Sequence, residues 1–267
     1  TQIEEWDDGK NPQFLVFING EVIQGADMNH RDIWLRPNAI GGEELTIDIQ
    51  AYTGTLHREF NFLVDLYVRD EEINRFYYDL LIPLQAFPRM DEDNKTRMDI
   101  QTVLNEAINL LDMRLPYSPK FYETLAQARE YLAENLYGKM AGYSDIIATC
   151  IGHTHIDVAW WWTVAQTREK VVRSFATVLK LMEEYPSYKF MSSQPVLYYF
   201  LEQRYPELME KIKARVAEGR WEPEGGMWLE ADCNLTSGES LARQFLYGKR
   251  FFKEHFGVDN KVLWLPD

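Results

Sequence analysis

The chain has 267 residues, is 46% hydrophobic and 14% aromatic, and carries a formal net charge of −14 at pH 7, with a pI near 4.9. That length can bury a substantial core and suggests two domains instead of one, while the acidic balance makes phosphate backbones and anionic lipid poor partners, so neither nucleic acid nor membrane is expected. No apolar run approaches the about 20 residues that span a bilayer, and the opening TQIEEWDDG does not look like a signal peptide, so a cytoplasmic location is expected. The two cysteines, Cys150 and Cys233, make no disulfide framework and are expected as free buried thiols.

In chain order, runs of β type at 14–18 and 21–23 flank Asn19-Gly20, a strong hairpin signal, and further runs of alternating polarity follow at 45–52 and 60–68. They predict a small β-sandwich-like accessory domain over residues 1–70. Apolar positions at three- and four-residue spacing then predict helices at 73–85, 95–111 and 119–137, interrupted by Pro88 and Pro116, as a helical connector over 71–143. From 144 to 267 strands and helices alternate. Strands are expected at 146–151, 188–191, 219–221 and 262–265, and helices at 163–184, 195–218 with a break near Pro206, and 237–256. This alternation predicts an α/β region with a parallel sheet covered by helices, its ligands bound beyond the strand ends.

The run GHTHIDVAWWW, residues 152–162, holds two imidazoles, a carboxylate and three indoles directly after an apolar stretch. In an extended segment alternate side chains share a face, so His153, His155 and Asp157 can point together, a mixture of imidazole nitrogen and carboxylate oxygen that suits zinc. A lone histidine at a strand end is ordinarily a hydrogen-bonded structural residue, but the repeated spacing points to metal. Of the three indoles, one is expected in the site and two in the core. A second cluster, WEPEGGMWLEADCN at 221–234, puts four acids beside large apolar residues and a glycine pair, which a solvated loop explains poorly; Asp232 there could reach a metal or act as a nucleophile.

Together these segments resemble the amino-terminal part of the catalytic domain of glycoside hydrolase family 38 α-mannosidases. The resemblance runs from about Ser144 to Asp267 and is carried by GHTHIDVAWWW, by MSSQP, by GRWEPEGGMWLEADCNLTSGESLARQ and by LWLPD. NGEVIQGADMNHRDIWL adds a softer likeness to the accessory segment of the cytosolic and bacterial branch. It implies one Zn²⁺ held by His155, Asp157 and Asp232, with Asp232 also the catalytic nucleophile and Trp160 beneath the bound mannose. His153 receives no ligand role. The first part of a barrel-like catalytic domain is implied, acting on α-mannoside oligosaccharides in a retaining reaction. A further histidine ligand and an aspartic general acid are implied downstream of LWLPD, so the chain is expected to be an incomplete piece, silent alone. A homo-oligomer is left open. Cys233 stands where this branch often has glycine.

Two other classes fit parts of the pattern. An amidohydrolase-type metal hydrolase would use His153 and His155 together and leave Asp232 unexplained. A noncatalytic carbohydrate-binding module would draw on the β-domain and the aromatics without metal.

Overall fold

A computed structural model of the chain describes residues 13–27, 30–36, 38–52, 63–140 and 147–266. It divides into two compact units: residues 1–64 together with 150–267, and residues 65–149.

The first unit begins with three antiparallel strands, β1 (Gln13–Ile18), β2 (Glu21–Ala26) and β3 (Ile47–Tyr52), in the order β2-β1-β3. Asn19 and Gly20 both have positive φ, 53° and 83°, the backbone a two-residue hairpin turn demands. Asn19 also receives the Thr46 N–H on its side chain at 3.0 Å, fixing the entry to β3. Alternation along β1 sends Phe14 and Val16 to one face, with Ala26, and Leu15 and Phe17 to the other. That second face joins the core under α4 (Val164–Glu184), where the Gly25 N–H donates to Thr177 Oγ1 at 3.0 Å. Among the described residues of the 1–70 segment, expected as sandwich-like, there is one three-stranded sheet, and a helix packs on one of its faces. The run expected at 60–68 lies partly outside the described residues, and 63–68 form no strand.

The other sheet of this unit is parallel, β4 (Gly152–His153), β5 (Phe190–Ser192) and β6 (Trp221–Pro223) in that order, and Leu263 adds one parallel bridge to Gly225. Helix α4 connects β4 to β5, α5 (Pro195–Glu202) and α6 (Pro206–Ala217) connect β5 to β6, and α7 (Gly238–Phe256) follows β6. This is the expected α/β alternation with a parallel sheet, but the strands start later than their apolar runs. Among the described residues pairing of this strand begins at Gly152, where the lack of a side chain makes room for the Tyr188 phenol: a Cβ there would stand 2.0 Å from its oxygen. Strand β6 starts at Trp221 because Gly219 and Arg220 are still bonded back into the end of α6.

Between sheet and helices lies a core whose largest fully buried side chains include Trp221, Tyr198, Phe175, Phe190 and Phe252. Phe175 and Phe190 meet the Trp221 ring edge-on at 5.0 and 4.7 Å between centroids. The indole N–H donates to Tyr198 Oη at 2.8 Å, and that hydroxyl donates to Ser192 O at 2.9 Å, so both polar tips inside the core are satisfied. Burial pushes the Tyr198 phenol well above its ordinary range, so it stays protonated.

The second unit contains α1 (Glu71–Ala86), α2 (Lys95–Asn109) and α3 (Pro119–Leu132), the last extended by a wider π-type turn over Ala133–Gly138. Asp70, Asn94 and Ser118 cap their N-termini through side-chain oxygens. Phe76, Ile100, Val103, Leu104, Phe121, Leu125 and Leu132 form its core. These helices fall where the apolar spacing predicts them.

Candidate active site

The GHTHIDVAWWW segment leaves β4 at its C-terminal end, and its alternation separates two populations of side chain. Ile156 is buried at 5% exposure among the core residues, while His155 and Asp157, on either side of it, face outward. His155 Nε2 lies 3.0 Å from Asp157 Oδ1. Its other ring nitrogen, Nδ1, lies 2.7 Å from Oε2 of Glu230, a carboxylate only 3% exposed. The imidazole thus stands between two carboxylates. His153, the first residue of the array, behaves differently: its Nδ1 is 2.9 Å from Met191 O, and its ring packs edge-on against Trp264 at 4.7 Å.

Glu230 is held in place from several directions. Its Oε1 accepts the Ser193 hydroxyl. The segment before it is tied to α7, with Trp228 N donating to Gln244 O and Leu229 N to Gln244 Oε1, both at 2.9 Å, and to α5 by Val196 N to Trp228 O at 3.1 Å. Gln194, buried and left-handed at φ 60°, spans the two motif segments: its Nε2 donates to Ile156 O at 2.9 Å, and its Oε1 lies 3.5 Å from the Glu230 N–H.

Burial pushes the Glu230 carboxyl up, against the opposing pull of Ser193 and the two imidazoles. For His155, desolvation is the largest single effect and lowers the imidazole, but Asp157 and Glu230 together outweigh it, so the ring holds its proton more tightly than usual.

The other expected site residues are placed as follows. Asp232 is exposed, and its Oδ1 accepts the Asn234 N–H at 2.7 Å, while its carbonyl accepts from Leu235 and Thr236. The structure brings His155 and Asp157 together; it does not gather Asp232 with them, and no group of three His, Cys, Asp or Glu side chains is arranged to hold a metal among the described residues. Trp160 is 68% exposed and Trp161 84%, with Trp160 edge-on to both Trp161 and Trp162 at 5.8 Å. Two core indoles were expected. Only Trp162 is turned inward, donating to Thr167 Oγ1 at 3.1 Å and lying within 3.3 Å of Asp157 O. Cys150 and Cys233 are free and exposed instead of buried. Of the remaining acids, Glu224 accepts two backbone N–H groups, of Lys261 and Val262, as a loop clasp. His255 lies two residues before the Gly257 helix cap, stacked on Phe251.

Sequence reasoning passed over Glu230 and Ser193. The available signal was Glu230 following Met227, Trp228 and Leu229, since a carboxylate inside so apolar a stretch is buried only when paired.

The donor chemistry fits a metal at two positions. Nε2 of His155 and Oδ1 of Asp157 stand side by side, and a buried carboxylate backs the opposite ring nitrogen, the arrangement usual behind a metal-bound imidazole.

Comparison with known proteins identifies the family of this segment. Residues 145–267 match the N-terminal domain of glycosyl hydrolases family 38. Through this segment the chain belongs to glycoside hydrolase family 38. It is 34% identical over 274 residues to Alpha-mannosidase G of Dictyostelium discoideum, across 95% of this chain and 25% of that protein. It is 35% identical both to an Alpha-mannosidase of Saccharomyces cerevisiae and to human Alpha-mannosidase 2C1, across 76% of this chain and 19% of each relative. The family 38 chain therefore spans a quarter or less of the length of these relatives. No helix among its described residues is long and apolar enough to cross a membrane.

Proposed function

We propose that this family 38 chain contributes the metal-binding and nucleophilic half of a retaining, zinc-dependent α-mannosidase that releases terminal α-linked mannose from oligosaccharides. The observation carrying this reading is the pairing of His155 Nε2 with Asp157 Oδ1 at 3.0 Å beyond a parallel strand, in a segment whose relatives are named α-mannosidases. His155 and Asp157 would hold the zinc, with Asp232 as the third ligand. The ion would supply Lewis-acid stabilisation of sugar hydroxyls.

The chain's own residues then have these tasks. Asp232 attacks the anomeric carbon, the glycosidic bond breaks with its electron pair on the leaving oxygen, and an acid on the opposite face protonates that oxygen. Water hydrolyses the resulting mannosyl ester, and two inversions give net retention. Support for Asp232 comes from its neighbourhood: Glu230, two residues earlier, touches His155, so the backbone carrying Asp232 is anchored at the site. Trp160 offers an exposed indole face on which a mannose ring can stack. The proposed compartment is the cytoplasm, on the strength of two free, exposed thiols that a reducing environment preserves.

The test is hydrolysis of a nitrophenyl α-mannoside, with zinc, by the protein that carries this chain. Asp232→Asn is expected to lower turnover by orders of magnitude without loss of fold. NMR of the first product should show α-mannose; the β anomer, or an active Asp232→Asn variant, overturns the mechanism. An amidohydrolase-type site would need both imidazoles as ligands, and would show as equal losses of metal affinity in His153→Ala and Asp157→Ala.

A further inference from the structure

The ring of His155 is contested by two carboxylates, one on each nitrogen: Asp157 Oδ1 at 3.0 Å from Nε2 and Glu230 Oε2 at 2.7 Å from Nδ1. A neutral imidazole carries one proton, and only the bare nitrogen can bind a cation. If Asp157 wins the proton, Nε2 becomes N–H and cannot be a ligand. If Glu230 wins, Nε2 presents its lone pair beside Asp157 Oδ1, where both atoms can meet one ion.

We propose that Glu230 is the positioning residue that decides this contest, taking the Nδ1 proton and so preparing His155 Nε2 as a ligand. The proposal rests on the reading of His155 and Asp157 as metal donors. Three features equip Glu230 for the task. It is almost wholly enclosed, at 3% exposure, where an acceptor meets less competition from water than the 41% exposed Asp157 does. Its Oε1 is engaged by the Ser193 hydroxyl, leaving Oε2 to face the ring. The remaining oxygen, Oε2, lies 2.7 Å from Nδ1 and has no competing donor among the described residues.

Glu230→Gln is the first variant, because it keeps the shape while adding a donor where the carboxylate has only acceptors. Glu230→Met, of similar length and apolar, carries the same expectation should the amide variant fail to fold. Nitrogen-15 NMR of the metal-free chain, at a pH above the titration of the imidazole, reads the tautomer directly. The parent chain is expected to hold His155 as Nδ1–H, and both variants should move it toward Nε2–H as Asp157 takes the proton. Asp157→Asn should leave it as Nδ1–H. Titration with Zn²⁺ against a chromophoric chelator should then show affinity falling about 10- to 100-fold in both Glu230 variants.

An Nε2–H tautomer in the parent chain, or an Nδ1–H tautomer and undiminished zinc affinity in both folded variants, overturns the proposal and leaves Glu230 a packing residue. A parent chain that takes up no zinc but shows the expected tautomer change would refute the metal reading and retain the role of Glu230 in setting the ring.

Discussion

The two units place their polar chemistry in opposite locations. In the helical unit, Thr124 apart, the side-chain ties lie mostly on or near the surface: Asp70, Asn94 and Ser118 cap adjacent helix ends, and pairs such as Lys120–Glu123 join consecutive turns. In the unit that holds the site, buried or half-buried side chains reach backbone carbonyls more than thirty residues away: Gln194 to Ile156, Arg220 to Met182, Asn260 to Pro223, His153 to Met191. Exposed pairs contribute about 0–1 kcal/mol each, whereas a buried carbonyl stripped of its donor costs about 1–3 kcal/mol. The contrast shows where rigidity is concentrated: around the strand ends and loops of the parallel sheet, which is where the candidate site lies.

The largest effect should come from the core beneath that sheet. Trp221→Ala is expected to cost about 3–5 kcal/mol, since it removes a fully buried indole and the N–H that the Tyr198 hydroxyl accepts. Urea denaturation followed by near-ultraviolet circular dichroism checks it, and a loss below about 1 kcal/mol would mean that this core is loosely packed.

Next comes the bridging amide. Gln194→Asn tolerates the left-handed backbone but is one methylene too short for Ile156 O, and should cost about 1–3 kcal/mol in the same measurement. A neutral result would remove the distinction between the two units, because a buried long-range tie would then weigh no more than a surface pair.

The smallest effect belongs to the helical unit. Asp70→Ala, which deletes the cap of α1 and the acceptor of the Tyr122 hydroxyl, should cost about 1 kcal/mol at neutral pH. The Ile73 N–H and then the Tyr122 hydroxyl hold the Asp70 carboxyl below its ordinary value of 3.8. Its contribution is thus fully present above that value and disappears as pH falls through the lower folded value. Parent and variant should therefore converge in stability in strong acid; a constant difference down to the lowest pH would show that charge plays no part in the cap.

This same contrast explains what the sequence disclosed. Helices α1 to α7 were legible because capping residues and apolar spacing act within a few positions; Thr163 with Gln166, for instance, forms a complete capping box at the start of α4. The hairpin at Asn19-Gly20 was legible for the same reason. Strand starts were not, since they depend on contacts made far along the chain: Gly152 lies against Tyr188, and Trp221 pairs only after α6 has closed. His155 and Asp157 could be placed together from their two-residue spacing, but no local pattern announces that Glu230, seventy-five positions on, backs the same ring. The helix that packs on one face of the first sheet could not be read locally, because alternation in β1 shows that each face is covered and does not show by what.

Gln194 has one further consequence. Because a single amide spans the carbonyl of Ile156 and the N–H of Glu230, the backbone flanking the imidazole and the backbone bearing its opposing carboxylate are yoked as one mechanical part. Displacing either limb drags the other, so their separation is set when the chain folds and not when a ligand arrives. On the proposed metal reading, a cation entering beside His155 would find most of the loss of chain freedom already incurred.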